Sequence, residues 1–318
     1  MTKRIKIGLA GAGVFGGYHA SKYADGAHSS LAFVFDPDIS RARSLSAAHG
    51  AAHTDNFGSM LKEVDAVVIA APASVHESLA RQALHAGKHV FVEKPLALSA
   101  AGADELAALA RHKGLVLQVG HQERFVFESV GVFAHSVSPQ KASFVRHAPA
   151  TGRGTDVSVV FDLMIHDLDL ALCLFGGAPM VASATGDNDY VRAELVFDND
   201  ARVDLSADRN AQALERKVHL HYNDARAAGD IVFDFVGRSL ENSTGLALRQ
   251  DFAGEQAPVS ARDPLAYGAS CFVDAIVSGD EPPIGGRDGA RAVSLAEAIE
   301  RKRISAASNE SNKSEVYA

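Results

Sequence analysis

The chain has 318 residues, 47% hydrophobic and 22% charged, with a formal net charge of −8. That length can bury two cores, and basic residues that are scattered rather than striped argue against a nucleic-acid partner. No apolar run reaches the ~20 residues that cross a bilayer, and the two cysteines, Cys173 and Cys271, read as reduced, buried thiols of a cytoplasmic protein.

The apolar run Ile5–Ala10 reads as a strand. Lys3, Arg4 and Lys6 ahead of small apolar residues imitate a secretory leader. Cleavage there would destroy the turn Gly11-Ala12-Gly13-Val14-Phe15-Gly16, which opens a helix. In such a turn Gly11 permits the bend, Gly13 lets backbone approach a pyrophosphate, and Gly16 lets helix and strand pack closely. The helix N-terminus offers free N–H groups and a favourable dipole to the phosphates. The next strand, 29–36, ends in Asp36, whose charge suits ribose hydroxyls and repels a 2′-phosphate, so the expected cofactor is NAD rather than NADP. Arg41 and Arg43 lie close in sequence and weaken that preference.

Strands are expected at 65–71, 88–93 and 115–120, separated by helices at 74–86, capped by Ser74 and stopped by Gly87, and at 99–113, capped by Ser99 and stopped by Gly114. These strands with crossover helices make an α/β, doubly wound parallel sheet whose ligands bind at the carboxyl ends of the strands. Glu93-Lys94-Pro95 lies at such an end. There the Lys94 ammonium can hydrogen-bond a reacting hydroxyl or ketone oxygen; a solvated strand-end lysine is the plainer reading, and Pro95, which fixes a turn and is compatible with a cis bond, favours the functional one.

After residue 121 the texture changes. A helix at 125–136 leads to alternating segments at 142–147, 192–197, 202–206, 217–222 and 230–235, which read as antiparallel strands. Between them lies an amphipathic helix, 161–175; helices at 264–278 and 288–303 and a polar surface tail close the chain. Residues 1–121 therefore form a nucleotide domain and residues 122–318 an α+β domain with a large open, mostly antiparallel sheet. An open sheet needs cover, so a homodimer or homotetramer is expected.

Asp162 and His166 sit i, i+4 on one face of helix 161–175. An aspartate beside a histidine fixes its tautomer and stabilises the imidazolium, the arrangement a general base needs, so Asp162 is expected to orient His166. An N-cap aspartate and a surface histidine are the alternative. Asp167 and Asp169 lie near, but two acids and one histidine on one turn make no metal cage, and no metal is expected. His219 and His221 share a strand face as surface residues. Arg124, Arg146 and Arg153 are candidates for bidentate contacts to a substrate diphosphate.

These motifs resemble those of the Gfo/Idh/MocA family of nicotinamide-dependent oxidoreductases over nearly the whole chain. The resemblance is carried by the glycine turn, Asp36-Pro37, Ala71-Pro72 with His76, Glu93-Lys94-Pro95, Asp162 with His166 and Asp169, and Asp263-Pro264-Leu265. It implies a Rossmann domain followed by an open-sheet domain, and a cofactor site that includes Ala71, Pro72, His76 and Glu93. It also implies Lys94, Asp162 and His166 as catalytic residues. Gly120-His121-Gln122-Glu123-Arg124-Phe125 and 162–167 are similar to members that oxidise UDP-N-acetylglucosamine, departing at Val126-Phe127-Glu128, where those members commonly carry Asn-Pro-Ala.

The function expected is hydride transfer between NAD and a secondary alcohol of a sugar, nucleotide-sugar or polyol. Two alternatives stand beside it. One is an NAD-using glycosidase that oxidises, eliminates and re-reduces. The other is a non-catalytic NAD-binding regulator, disfavoured because Lys94 and His166 are both present.

Overall fold

The structure is a computed structural model that describes residues 4–24, 26, 28–151 and 156–316, with side chains to residue 307. It divides into two compact units, residues 1–122 with 263–290, and residues 123–262 with 291–318.

The first unit holds strands β1 (Ile5–Ala10), β2 (Ser29–Phe35), β3 (Ala52–Thr54), β4 (Ala66–Ile69), β5 (His89–Val92) and β6 (Leu117–Val119). They form one parallel sheet in the order β3-β2-β1-β4-β5-β6. β4 is buried along its whole length, as an unbroken apolar run in a covered parallel sheet requires. β3 has three residues, two of them exposed, so no periodicity announces it. Ser99 caps the helix Ala100–His112 as expected, accepting the Gly102 N–H at 3.1 Å. Ser74 caps nothing. It lies in the 3-10 turn Ala73–Val75, and the helix His76–His85 comes after it with Val75 as an N-cap that makes no side-chain bond.

The expected boundary at 121/122 needs one correction. Residues 263–290 belong to the first unit. The helix Pro264–Ser278 places Ala269, Phe272, Val273 and Ala275 in the same core as Ile7, Leu9, Val34 and Phe91. Phe272 meets Phe91 edge-on at 5.9 Å, and Gln118 Nε2 donates to the Gly268 carbonyl at 2.8 Å. A helical apolar stripe shows that a face is buried, not which core it joins.

The second unit holds β7 (Lys141–His147), β8 (Met180–Gly186), β9 (Tyr190–Val196), β10 (Arg202–Asp208), β11 (Glu215–Asp224), β12 (Ala227–Asp234) and β13 (Ser239–Asn242). Their order is β13-β12-β11-β7-β10-β9-β8. Every pair is antiparallel except β7 with β10, which is parallel. β8 and β13 carry no clean alternation, so the sequence does not announce them as strands. The sheet buries one face through Phe144, Leu205, Leu220 and Phe233, and the other carries Ser143, Arg192, Glu194, Asp204 and Ser206.

The expected helix 125–136 is two pieces, Glu123–Val130 and a 3-10 turn Val132–Ala134, broken at Gly131 with φ +95°. Phe127 stacks on Phe233 at 4.4 Å, so the departure at 126–128 supplies an aromatic to the sheet core. Helix 161–175 begins as a π-turn, Val160–Met164, and continues as the α-helix Ile165–Phe175. It is buried nearly all round rather than amphipathic, and Asp162 is not its cap. The last helix runs from Gly286 to Val316, so the expected tail is helical through residue 316. Both cysteines are thiols outside any disulfide, half-buried rather than fully buried. No described helix is long and apolar enough to cross a membrane.

Candidate active site

In the first unit the glycine turn shows why each glycine is needed. Gly11 has φ +105°, and a Cβ there would lie 2.5 Å from the Ala70 carbonyl oxygen. A Cβ on Gly16 would lie 2.0 Å from the Gly11 carbonyl oxygen. Gly13 has no other atom within 4 Å of a built Cβ, which is the open space a pyrophosphate needs. Val14 and Phe15 open the helix Val14–Ala24 and are about half exposed. Asp36 is buried. Its Oδ2 accepts the Ala12 N–H at 2.8 Å and its Oδ1 the Asp38 N–H at 2.9 Å, so it fastens the end of β2 to the turn. Each oxygen keeps a lone pair for a ribose hydroxyl. The turn, its free N–H groups and this carboxylate fit a dinucleotide.

Two residues expected against the cofactor are held inside the protein. His76 is 1% exposed, with Nδ1 at 2.7 Å from the Pro95 carbonyl oxygen and Nε2 at 2.9 Å from that of Ala71. Burial pushes its imidazolium down, against the pull of the two carbonyls. The ring thereby ties the end of β4, at Ala71-Pro72, to the Glu93-Lys94-Pro95 segment. Glu93 is buried, with Oε1 at 2.7 Å from His19 Nε2 and accepting from Gln122 Nε2 at 2.9 Å. Burial would raise its pKa, but bonding and charge from His19, then the charge of Lys94, hold it below the usual carboxylate range. Lys94 is half-buried, and its peptide bond to Pro95 is cis.

In the second unit a cluster of charged side chains lies beside His166. Arg146 on β7 and Arg216 on β11 are direct cross-strand partners. Like charges placed so are unfavourable unless carboxylates separate them. Glu123, at the start of its helix, does that. Its two oxygens accept from Arg146 Nη1 and Nη2 at 3.0 and 2.7 Å, and it also pairs with Arg216. Asp167 takes the other edge of Arg146, accepting from Nε and Nη2 at 2.9 and 2.6 Å. The Arg216 guanidinium lies 4.5 Å above the Phe235 ring. His166 places Nδ1 at 3.4 Å from Glu123 Oε1.

Burial would raise the Glu123 carboxyl, but Arg146, then Arg216 and His166, hold it well below the usual carboxylate range. Burial pushes Asp167 up, against the pull of Arg146. Burial would lower the pKa of Arg146, yet Asp167 and Glu123 keep it firmly charged.

This cluster corrects one arginine of the expected diphosphate site and qualifies another. Arg146 is buried and gives its guanidinium to Glu123 and Asp167. Arg124 forms a bidentate pair with buried Asp169, its Nε donating at 3.1 Å. Arg153 lies outside the described residues. Asp167 and Asp169 thus face arginines. His219 and His221 both turn to Asp230 Oδ1, each at 2.9 Å, on the polar sheet face. Sequence reading misses Glu123, Asp167, Arg216 and His19 as site residues. Glu123 and Asp167 carry a signal, their places in the Gly120–Phe125 and 162–167 motifs.

The model of an oxidoreductase family with an NAD-binding Rossmann fold, GFO_IDH_MocA, matches residues 5–121. The chain is 33% identical over 285 residues to UDP-N-acetylglucosamine 3-dehydrogenase of Acidithiobacillus ferrooxidans, covering 86% of this chain and 89% of that protein. The chain belongs to the Gfo/Idh/MocA oxidoreductase family. It is also 25% identical over 321 residues to inositol 2-dehydrogenase of Rhizobium meliloti, covering 93% and 96% of the two chains. The solved structure of the A. ferrooxidans dehydrogenase is similar with TM-score 0.84 at 30% identity, over 94% of this chain and 98% of that one. This member is an NAD-binding dehydrogenase that acts on CH–OH groups.

Proposed function

We propose that this enzyme transfers a hydride between NAD and a secondary hydroxyl of a nucleotide sugar of the UDP-N-acetylglucosamine type. The observation that carries the substrate class is the 33% identity to a dehydrogenase named for that substrate, across most of both chains. NAD, when bound, accepts the hydride in the oxidising direction. The chain's own residues do the rest. The glycine turn and the helix it opens hold the pyrophosphate, and Asp36 takes the adenosine ribose. The Lys94 ammonium donates to the reacting oxygen and polarises it. His166 takes the hydroxyl proton as the carbon–hydrogen bond breaks. Asp162, in the π-turn one turn before His166, completes the catalytic set.

The enzyme works in the cytoplasm as a homodimer or homotetramer. The supporting observation is the uncovered face of a seven-stranded sheet. Light scattering at micromolar concentration checks this, and a monomer throughout overturns it.

A panel of UDP-sugars, free sugars and inositols with NAD tests the substrate class by NADH absorbance. Accumulation of NADH with UDP-N-acetylglucosamine is the expected result. Turnover of inositols with no turnover of any UDP-sugar overturns the class.

A further inference from the structure

We infer that Glu123 is the residue that positions His166 for proton transfer, by holding the proton on Nδ1 and leaving the Nε2 lone pair as the base. The inference rests on His166 being the base of the reaction proposed above.

Glu123 has its oxygens engaged by two guanidinium groups, so the carboxyl is ionised and can only accept. The nearest His166 atom to it is Nδ1, 3.4 Å from Oε1, a buried charge contact without hydrogen-bond geometry. A neutral imidazole facing a carboxylate places its single proton on that side. The other nitrogen, Nε2, then carries the lone pair. When the substrate O–H bond breaks, its proton forms a new N–H bond at Nε2, the proton on Nδ1 stays, and the hydride leaves to NAD. The imidazolium so formed stands beside a charge fixed in place before the reaction, which is the condition for electrostatic stabilisation without reorganisation.

The charge count shows why the arrangement is built this way. Arg146 and Arg216 are two cations, and Glu123 and Asp167 are two anions. The cluster is balanced while His166 is neutral. Without Glu123, two guanidinium groups would oppose one carboxylate, and a charged His166 would meet net repulsion. Asp162 lies one turn before His166 and is the competing carboxylate, so the experiment must separate the two.

The decisive measurement is 15N NMR of the histidine-labelled full chain, reading the tautomer and titration midpoint of His166. Among the described residues Glu123 approaches its Nδ1, Arg146, Asp167 and Arg216 are joined to Glu123 directly or through one another, and Asp162 precedes it by one turn. The wild-type protein should show the Nδ1–H tautomer, and an Nε2–H tautomer there overturns the inference without any variant.

Glu123→Gln combined with Arg216→Gln removes the carboxylate and keeps the remaining Arg146–Asp167 pair balanced. In that protein the Nε2–H form should appear and the midpoint should fall by about one unit or more. Turnover should drop at least tenfold and its pH profile should move with the midpoint, while the Kd for NADH stays unchanged. Glu123→Asp keeps the charge and should restore most of the turnover. If Asp162→Asn changes the tautomer while the double variant leaves it alone, Asp162 holds the role and the inference fails. His166→Ala tests the underlying reading separately. Retained turnover in that variant removes His166 as the base, whereas the NMR result on Glu123 is decided either way.

Discussion

In the nucleotide unit the polar groups offered to a ligand are backbone amides, and the carboxylate behind them, Asp36, gives both oxygens to the Ala12 and Asp38 N–H groups. In the second unit the polar groups are side chains, with four charged residues gathered beside one histidine. A dinucleotide's phosphates can be met by geometry alone, because nearly every residue has an N–H and a helix start aligns several of them. A proton that must be taken and returned needs a titrating side chain, and such a side chain needs fixed charges beside it. The first solution depends on the absence of side chains at Gly11, Gly13 and Gly16; the second depends on which side chains converge.

The largest expected effect separates the two units cleanly. His166→Ala should lower turnover by about 10²–10⁴, or roughly 3–5 kcal/mol of transition-state stabilisation, with NADH affinity nearly unchanged. Lys94→Ala should be comparably damaging, and the double variant should lose less than the product of both if they act as a unit. Steady-state rates and a fluorescence titration with NADH read this. Near-normal turnover with an unchanged pH profile in His166→Ala would make Lys94 the base.

Next comes the stability of the charge cluster. Glu123→Gln alone breaks a buried pair and leaves excess positive charge, which should cost about 3–5 kcal/mol at neutral pH. Because the folded-state carboxyl is held below its unfolded value of about 4.3, its stabilisation is present above that pH and fades as the pH falls toward the folded-state value. The stability gap between wild type and variant should therefore narrow below about pH 4.5 in urea titrations. A gap that stays constant down to about pH 3 would mean that Glu123 is not held ionised by its arginines.

A smaller effect sharpens the nucleotide side. Gly16→Ala drives a methyl into the Gly11 carbonyl and should cost about 1–3 kcal/mol of stability as well as NAD binding. Gly13→Ala meets no protein atom, so it should melt like wild type yet bind NADH at least tenfold more weakly, about 1.4 kcal/mol. Calorimetry and a binding titration on both variants decide it. Equal NADH affinity in Gly13→Ala would move the pyrophosphate away from that position.

Smallest is the cofactor preference. NADH should bind about tenfold or more tighter than NADPH, because the charge of Asp36 at the end of β2 would repel a 2′-phosphate. Arg41, drawn to Asp38 at 3.4 Å, is the residue that could offset it. Tighter binding of NADPH would show that it does.

The glycine turn, Asp36, the Ser99 cap and the buried strand β4 are legible in the sequence because each is local, read from neighbouring residues. The misreadings share one cause. Ser74 has the chemistry of a cap, but the chain inserts a 3-10 turn first. The parallel pairing of β7 with β10 joins strands far apart in the chain, and no alternation pattern reports it. Arg146 reads as available to a phosphate because a sequence shows a charge and not its burial.

By itself, then, the sequence determined the dinucleotide turn, the alternation of strand and helix in the first unit, the presence of Lys94, Asp162 and His166, and the family. Those rest on spacing within a few residues, where chain connectivity enforces proximity. Only the tertiary structure decided that residues 263–290 return to the first core, that His76 and Glu93 serve from inside the protein, and that Glu123 stands at Nδ1 of His166. Each of these joins residues distant in the chain. Such contacts are selected by the burial of whole faces and the pairing of buried charges, which no local spacing encodes.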